Sequence, residues 1–314
     1  MGQTLMENQK AKLIPFKIES LQTEATEIPY GVKMHQAPEI WADGEMGKGV
    51  VVAVLDTGID TKHPDLQPNI IGGRNFTNEG RADNFEDGNG HGTHCAGTIG
   101  ANGKIKGVAP ECSLLIGKVL DRNGSGAYYS IIEGIKWATN WEGAGGERVR
   151  IISMSLGGAY NDKKMEKAIH DACSKGIIVV VASGNEGDGN EDTEEYGYPA
   201  LIQECVTVAA CDENRKLAYF SNVHKQVDVI GAGVDVLSTY PSSNYARLSG
   251  TSMATPHVAG IIALLINLGE KKFRRGLNRE EIYGLMTKVC CSLGYKASTE
   301  GHGIPELTRF FENC

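Results

Sequence analysis

Five short runs constrain this chain most: "VVVAVL" (50–55), "SLLIGKVL" (113–120), "VRIISMSL" (149–156), "GIIVVVAS" (176–183) and "CVTVAA" (205–210). Their apolar residues are consecutive rather than alternate, so a strand built from any of them presents hydrophobic side chains on both faces. Only a parallel sheet covered on each side satisfies that demand. The segments between them supply the covers, with helical patterns at 126–141, 165–176, 252–268 and 278–290. The expected fold is therefore α/β: a single-domain, doubly wound, mostly parallel sheet with helices on both faces. No linker or composition shift divides it, so residues 35–314 read as one domain. Residues 1–34 read as an extension whose "IPF" and "EIPY" interrupt helix formation.

A formal charge of -8 argues against a nucleic-acid surface, because phosphate binding needs clustered Lys and Arg. The acid is partly local: "NEGDGNEDTEEYGYP" reads first as a solvated loop, with cation binding or a taste for basic peptides as lesser readings. No uninterrupted apolar stretch is read as membrane-spanning. The first twenty residues lack the apolar core of a secretion signal, so a cytoplasmic protein is expected and its eight cysteines are expected as free thiols.

In a sheet of this kind, ligand groups gather at the C-terminal ends of the strands. That rule singles out Asp56, which ends "VAVLD", Ser155 to Gly158 after "IISM", and Asn185 after "VVVASG". Ser252 stands at the start of the long 252–268 helix, and His91 follows the glycine-rich "DGNG". Singly each has a plain explanation. Ser252 would cap a helix, Asn185 would sit in a loop, and the i, i+3 pair His91 and His94 would suggest zinc only with further ligands. Together they supply a nucleophile, a base tunable near neutral pH and a carboxylate to hold the imidazole.

The four segments "VAVLDTGID", "HGTHCAG", "SGNEG" and "GTSMATPHVAG", in this order, resemble the signature segments of the subtilisin family of serine proteases. Shorter matches such as "HPDL", "GVAP", "SMSLGG" and "GYPA" extend the resemblance over roughly residues 38 to 307. It implies a serine endopeptidase acting on unfolded protein or peptide, with Asp56, His91 and Ser252 as the triad and Asn185 as an oxyanion donor. It also implies that substrate backbone lies between two edges, Gly124-Ser125-Gly126 and Ser155-Leu156-Gly157, which gives broad specificity. The primary pocket would be walled by Ala182, Ser183, Gly184 and Gly197, and Tyr198–Pro199 would be cis.

Within the family, "LIPF" (Leu13, Ile14, Pro15, Phe16) looks like the N-terminal motif of bacterial intracellular subtilisins. The implication is a zymogen in which the extension crosses its own cleft and Pro15 bends it away from cleavage. A homodimer is implied as well. Calcium, as a structural ion with no organic cofactor, is implied at the carbonyls of Ala200, Ile202 and Cys205 with Asp228. Asp65 persists from a second, tighter calcium site whose loop is short here, at "GANGKIK". Cys95, four residues after His91, is expected under the imidazole, where a bulky mercurial would inactivate the enzyme. A catalytically silent peptide-binding protein is the competing reading.

Overall fold

The computed structural model describes residues 10–313. Its centre is a seven-stranded parallel sheet in the order Val227–Ala232, Val206–Cys211, Ile178–Ala182, Val149–Met154, Val51–Asp56, Ser113–Lys118 and Ile70–Asn75. All five aliphatic runs are in it. The Val51–Asp56 strand lies in the sheet's interior, pairing Val54 with Ile116 on one side and with Ser153 on the other.

Because side chains alternate along a strand, its residues divide between two cores. Val52 and Val54 join a cluster with Ile99, Val258, Ile261 and Leu265, from the His91–Gly100 and Thr251–Phe273 helices. Val51, Ala53 and Leu55 join the opposite cluster, with Ile131 and Ile135 of Tyr128–Asn140 and Ile169 of Lys163–Ser174. Both parities are buried, which is why the run could not alternate. The Arg279–Lys288 helix starts on a capping box between Asn278 and Glu281.

The Thr251–Phe273 helix is the longest of the described helices. It is long and apolar enough to cross a membrane by length and composition, yet 94% of its most apolar window lies inside the protein. Its hydrophobicity serves the core.

The extension is less separate than expected. Lys17–Gln22 pairs antiparallel with Asn244–Ser249, itself paired with Val236–Tyr240, and the Tyr30 hydroxyl donates to the Val234 carbonyl at 2.5 Å. Gly31 lies so close to His257 that a Cβ there would fall 2.3 Å from Nε2. Residues 17–34 are therefore built into the body; of the described residues in the extension, 10–16 lie over the sheet's C-terminal edge. Tyr198–Pro199 is cis.

Three fully buried imidazoles carry a pH dependence. Burial pushes His35 down to about 4 and His94 and His257 down to about 3. A base whose folded pKa lies below its unfolded value takes up a proton more readily in the unfolded chain. Stability is then full above about pH 6.5 and falls as pH drops toward the folded values, by at most about 1.4 kcal/mol per unit for each group. The urea midpoint should decline steadily from pH 6 to pH 4; a level midpoint across that window would contradict this account.

Candidate active site

Asp56 is the last residue of its strand, His91 the first of the His91–Gly100 helix, and Ser252 the second of the Thr251–Phe273 helix. All three are buried. His91 Nδ1 donates to both Asp56 oxygens, at 2.9 and 3.0 Å, and Asp56 Oδ1 also accepts the Thr57 N–H at 2.7 Å. Burial alone would lower the imidazole's proton affinity. The Asp56 carboxylate and the Cys95 sulfur outweigh it and hold His91 well above the usual histidine range. The site is thus arranged to stabilise positive charge on the ring when a proton arrives.

The other ring nitrogen, Nε2, is buried with no hydrogen-bond partner. The Ser252 hydroxyl is turned away from it and donates to the Ser155 carbonyl at 3.3 Å, while Ser155 Oγ donates to the Ser252 carbonyl at 2.9 Å. The expected contact between alcohol and imidazole is therefore not made in this arrangement.

Asn185 is held by its neighbour. Thr251 donates through both N–H (2.8 Å) and hydroxyl (2.7 Å) to Asn185 Oδ1, leaving Nδ2 to face the cleft. Gly250 permits the approach, since a Cβ on it would stand 2.9 Å from that Nδ2. Beside them begins the helix, whose first N–H groups and positive dipole end face developing negative charge.

What fills the cleft is the chain's own extension. Lys10–Leu13 runs antiparallel between Ser125–Ala127 and Leu156–Gly157, pairing Ala11 with Gly126 and Leu13 with Leu156; the Leu13 N–H also donates to Gly124 O at 2.7 Å. Continuing that register sets Ile14 opposite Ser155. The carbonyl that Asn185 Nδ2 grips, at 2.5 Å, is nevertheless that of Pro15. Phe16 then lays its ring against His91, centroids 4.8 Å apart.

Ala182, Ser183, Gly184 and Gly197 line one cavity of about 330 Å³, joined by Glu186 and Tyr196 and roofed in part by Ile14 and Pro15. Glu186 was not singled out from sequence. Its carboxylate accepts the Asn185 N–H at 3.0 Å and the Asn222 amide at 2.8 Å, so it braces the loop as well as lining the cavity.

Cys95 lies where helical spacing put it, with Sγ 3.8 Å from His91 Nδ1 and 3.4 Å from the Ser252 carbonyl. Burial raises its pKa, so it is a thiol at neutral pH. Asp56, His91 and Cys95 keep their ligand atoms within 4.8 Å of one another, but an ion between them would replace the Asp56–His91 bond. His94 contributes nothing to it, since its Nε2 meets the carbonyls of Val236 and Ala246. The seven described cysteines are free thiols; Cys314 lies outside the described residues.

The expected calcium ligands have other partners. The Asp65 carboxylate accepts the N–H groups of Lys104 (2.9 Å) and Ile105 (3.1 Å) and the Tyr245 hydroxyl (3.0 Å). The shortened loop folds its own donors onto the oxygens a cation would take, so Asp65 does not fit a metal. At the second location the Ala200 carbonyl accepts the Thr207 hydroxyl at 2.8 Å, and the Ile202 carbonyl accepts the Cys205 N–H at 3.0 Å. Asp228 accepts Thr207 N–H and the Tyr283 hydroxyl, and Arg279 shares its cavity. Each carbonyl oxygen keeps a second lone pair, so a weakly held cation is compatible with this set.

The subtilase family profile matches residues 47–303. The chain is 46% identical over 307 residues to the major intracellular serine protease of Bacillus subtilis, covering 96% of this chain and 94% of that one. It is also 46% identical to an intracellular serine protease of Paenibacillus polymyxa, with the same coverage, and 43% identical over 247 residues to subtilisin DY of Bacillus licheniformis, covering 77% and 86%. With its seven-stranded parallel sheet and these matches along nearly its whole length, the chain belongs to the subtilase family and is a serine endopeptidase.

Proposed function

We propose that the chain hydrolyses peptide bonds through an acyl-enzyme on Ser252, and that it is made as a zymogen blocked by its own residues 10–16. The observation that supports this most is the Asp56–His91 pair beside an asparagine amide already holding a peptide carbonyl, that of Pro15. When a substrate replaces the extension, Ser252 rotates from Ser155 O to His91 Nε2, which takes its proton as the oxygen attacks the scissile carbonyl. Asn185 Nδ2 and the Ser252 N–H bind the oxyanion; His91 then gives the proton to the leaving amine, and water repeats the sequence on the ester. Substrate pairs through its backbone with Gly124 to Gly126 and Ser155 to Gly157, so any unfolded protein or peptide fits, with little sequence demand.

Pro15 fits the role of a stop. It has no N–H to offer Ser155 O, and that carbonyl accepts the nucleophile's own hydroxyl instead. The strand is held without being cut. The test is covalent: a fluorophosphonate should label a chain freed of residues 1–18 at Ser252, and should leave its Ser252→Ala variant unlabelled. A silent peptide-binding protein would show no label in either.

Two of the relatives are named as intracellular proteases, and we assign this chain to the inside of the cell, as a homodimer by resemblance. Calcium, in this reading, is at most a weak stabiliser at Ala200, Ile202, Cys205 and Asp228. A half-saturated site contributes about 0.4 kcal/mol, which for a chain of this size is on the order of 1 °C in Tm. Chelator should therefore lower Tm by about that much; a drop of roughly 10 °C would reveal a tight site.

A further inference from the structure

We propose that Asp87 is a positioning residue for the Asp56–His91 pair, an inference that rests on reading the pair as catalytic. The helix carrying His91 cannot cap itself. Its N-cap is Gly90, which has no side chain, so the N–H groups of its first turn need acceptors from elsewhere.

Asn89 Oδ1 accepts the His91 N–H at 3.3 Å, and Asp87 and Thr57 supply the rest. Asp87 Oδ1 accepts the N–H groups of Asn89 and Gly90, each at 2.9 Å, and Oδ2 accepts both N–H (2.9 Å) and hydroxyl (2.6 Å) of Thr93. The remaining link reaches the other partner of the pair. Thr57, the residue after Asp56, donates its hydroxyl to Asp87 Oδ1 at 2.8 Å and accepts the Gly92 N–H on the same oxygen at 2.9 Å.

One carboxylate thus ties the tip of the Asp56 strand to the first turn of the His91 helix. The two backbones touch at this point: a Cβ on Gly92 would fall 2.2 Å from the Gly58 carbonyl. Without the tie, the links left between the two segments lie further along the chain, the Asp60 N–H on Thr93 Oγ1 at 3.0 Å and the bridge of Ile59 to 85–87, and the residue next to Asp56 is no longer fastened to the helix. The bonds between Asp56 and His91 must persist while His91 gains and loses a proton, so an independent anchor keeps the ring aimed at Ser252.

The chain freed of residues 1–18 is the material for the test, with Asp87→Ala, Thr57→Val and Thr57→Ser. Thr57→Val keeps shape and removes only the tie, which guards against a variant that fails to fold. A displacement of the order of 1 Å in such a site costs about 10²-fold. We expect Asp87→Ala and Thr57→Val to lower kcat by about that factor with KM within about twofold, and Thr57→Ser to regain most of it.

The decisive readout is the proton NMR signal of His91 Nδ1–H, observed in folded protein whatever its activity. It should shift or broaden in Asp87→Ala and Thr57→Val and return in Thr57→Ser. An unchanged signal, with kcat falling only as far as the folded fraction falls, would overturn the proposal. Loss of phosphonate labelling in the parent would instead sink the catalytic reading, so the two failures are distinguishable.

Discussion

Replacing Ser252 by alanine in a chain freed of residues 1–18 should lower kcat by about six orders of magnitude while leaving KM nearly unchanged. The magnitude is taken over from the loss of about 2 × 10⁶ on removing the nucleophile of a subtilisin; the invariance of KM follows from this site. Backbone pairing along Gly124 to Gly126 and Ser155 to Gly157 flanks the bound strand and does not use the Ser252 hydroxyl. Substrate would bind and wait. Asn185→Ala should cost about 10²–10³-fold, again a value from this family, because the amide that Thr251 orients is aimed at the carbonyl oxygen. A Ser252→Ala enzyme with more than about a hundredth of the parent's turnover would remove the acyl-enzyme mechanism. Burst kinetics with an ester substrate would check the same step from the other side.

Removing residues 1–18 should raise peptidase activity by at least about 10²-fold. The extension competes as an attached ligand. A short tether gives an effective concentration of around a millimolar, so a segment that would bind with a dissociation constant near ten micromolar when free blocks the cleft about a hundredfold. Residues 10–16 make the contacts such a ligand needs: two antiparallel edges, the Asn185 amide on Pro15, and the Phe16 ring on His91. Ending the deletion at Ile18 matters. Ser20 to Gln22 stay paired with Tyr245 to Arg247, and Glu19 keeps the Ser249 hydroxyl, so the body's edge sheet survives. Cleavage of a quenched unfolded peptide by the two chains measures the effect. Equal rates, with both chains folded, would discard the zymogen proposal.

Much of this is legible in the sequence, for identifiable reasons. Fully apolar strands advertise burial on both faces within six residues, and Val51 to Leu55 divided between the two cores as that pattern requires. Asp56, Asn185 and Ser252 were findable because strand ends and helix starts are local features, and Cys95 because helical spacing is local too. The extension's crossing of the cleft was an implication of resemblance rather than a derivation. Glu186 and Asp87 were passed over. Each stands in a run of Gly, Asn and acidic residues that reads as a turn, and its importance lies in partners at sequence distances of 36 and 30.

The chain's one-dimensional order determined the sheet, its covers and the set of chemical groups offered at one edge, because propensity, burial and capping act over a few residues. Tertiary structure alone decided how those groups are used. It turned the Ser252 hydroxyl to Ser155, presented Pro15 rather than Ile14 to Asn185, and closed the short loop's N–H groups over Asp65. Each of these is a competition for one hydrogen-bond acceptor or donor among groups from separate segments. The winner is set by distances of a few tenths of an ångström, which no local pattern of residues records.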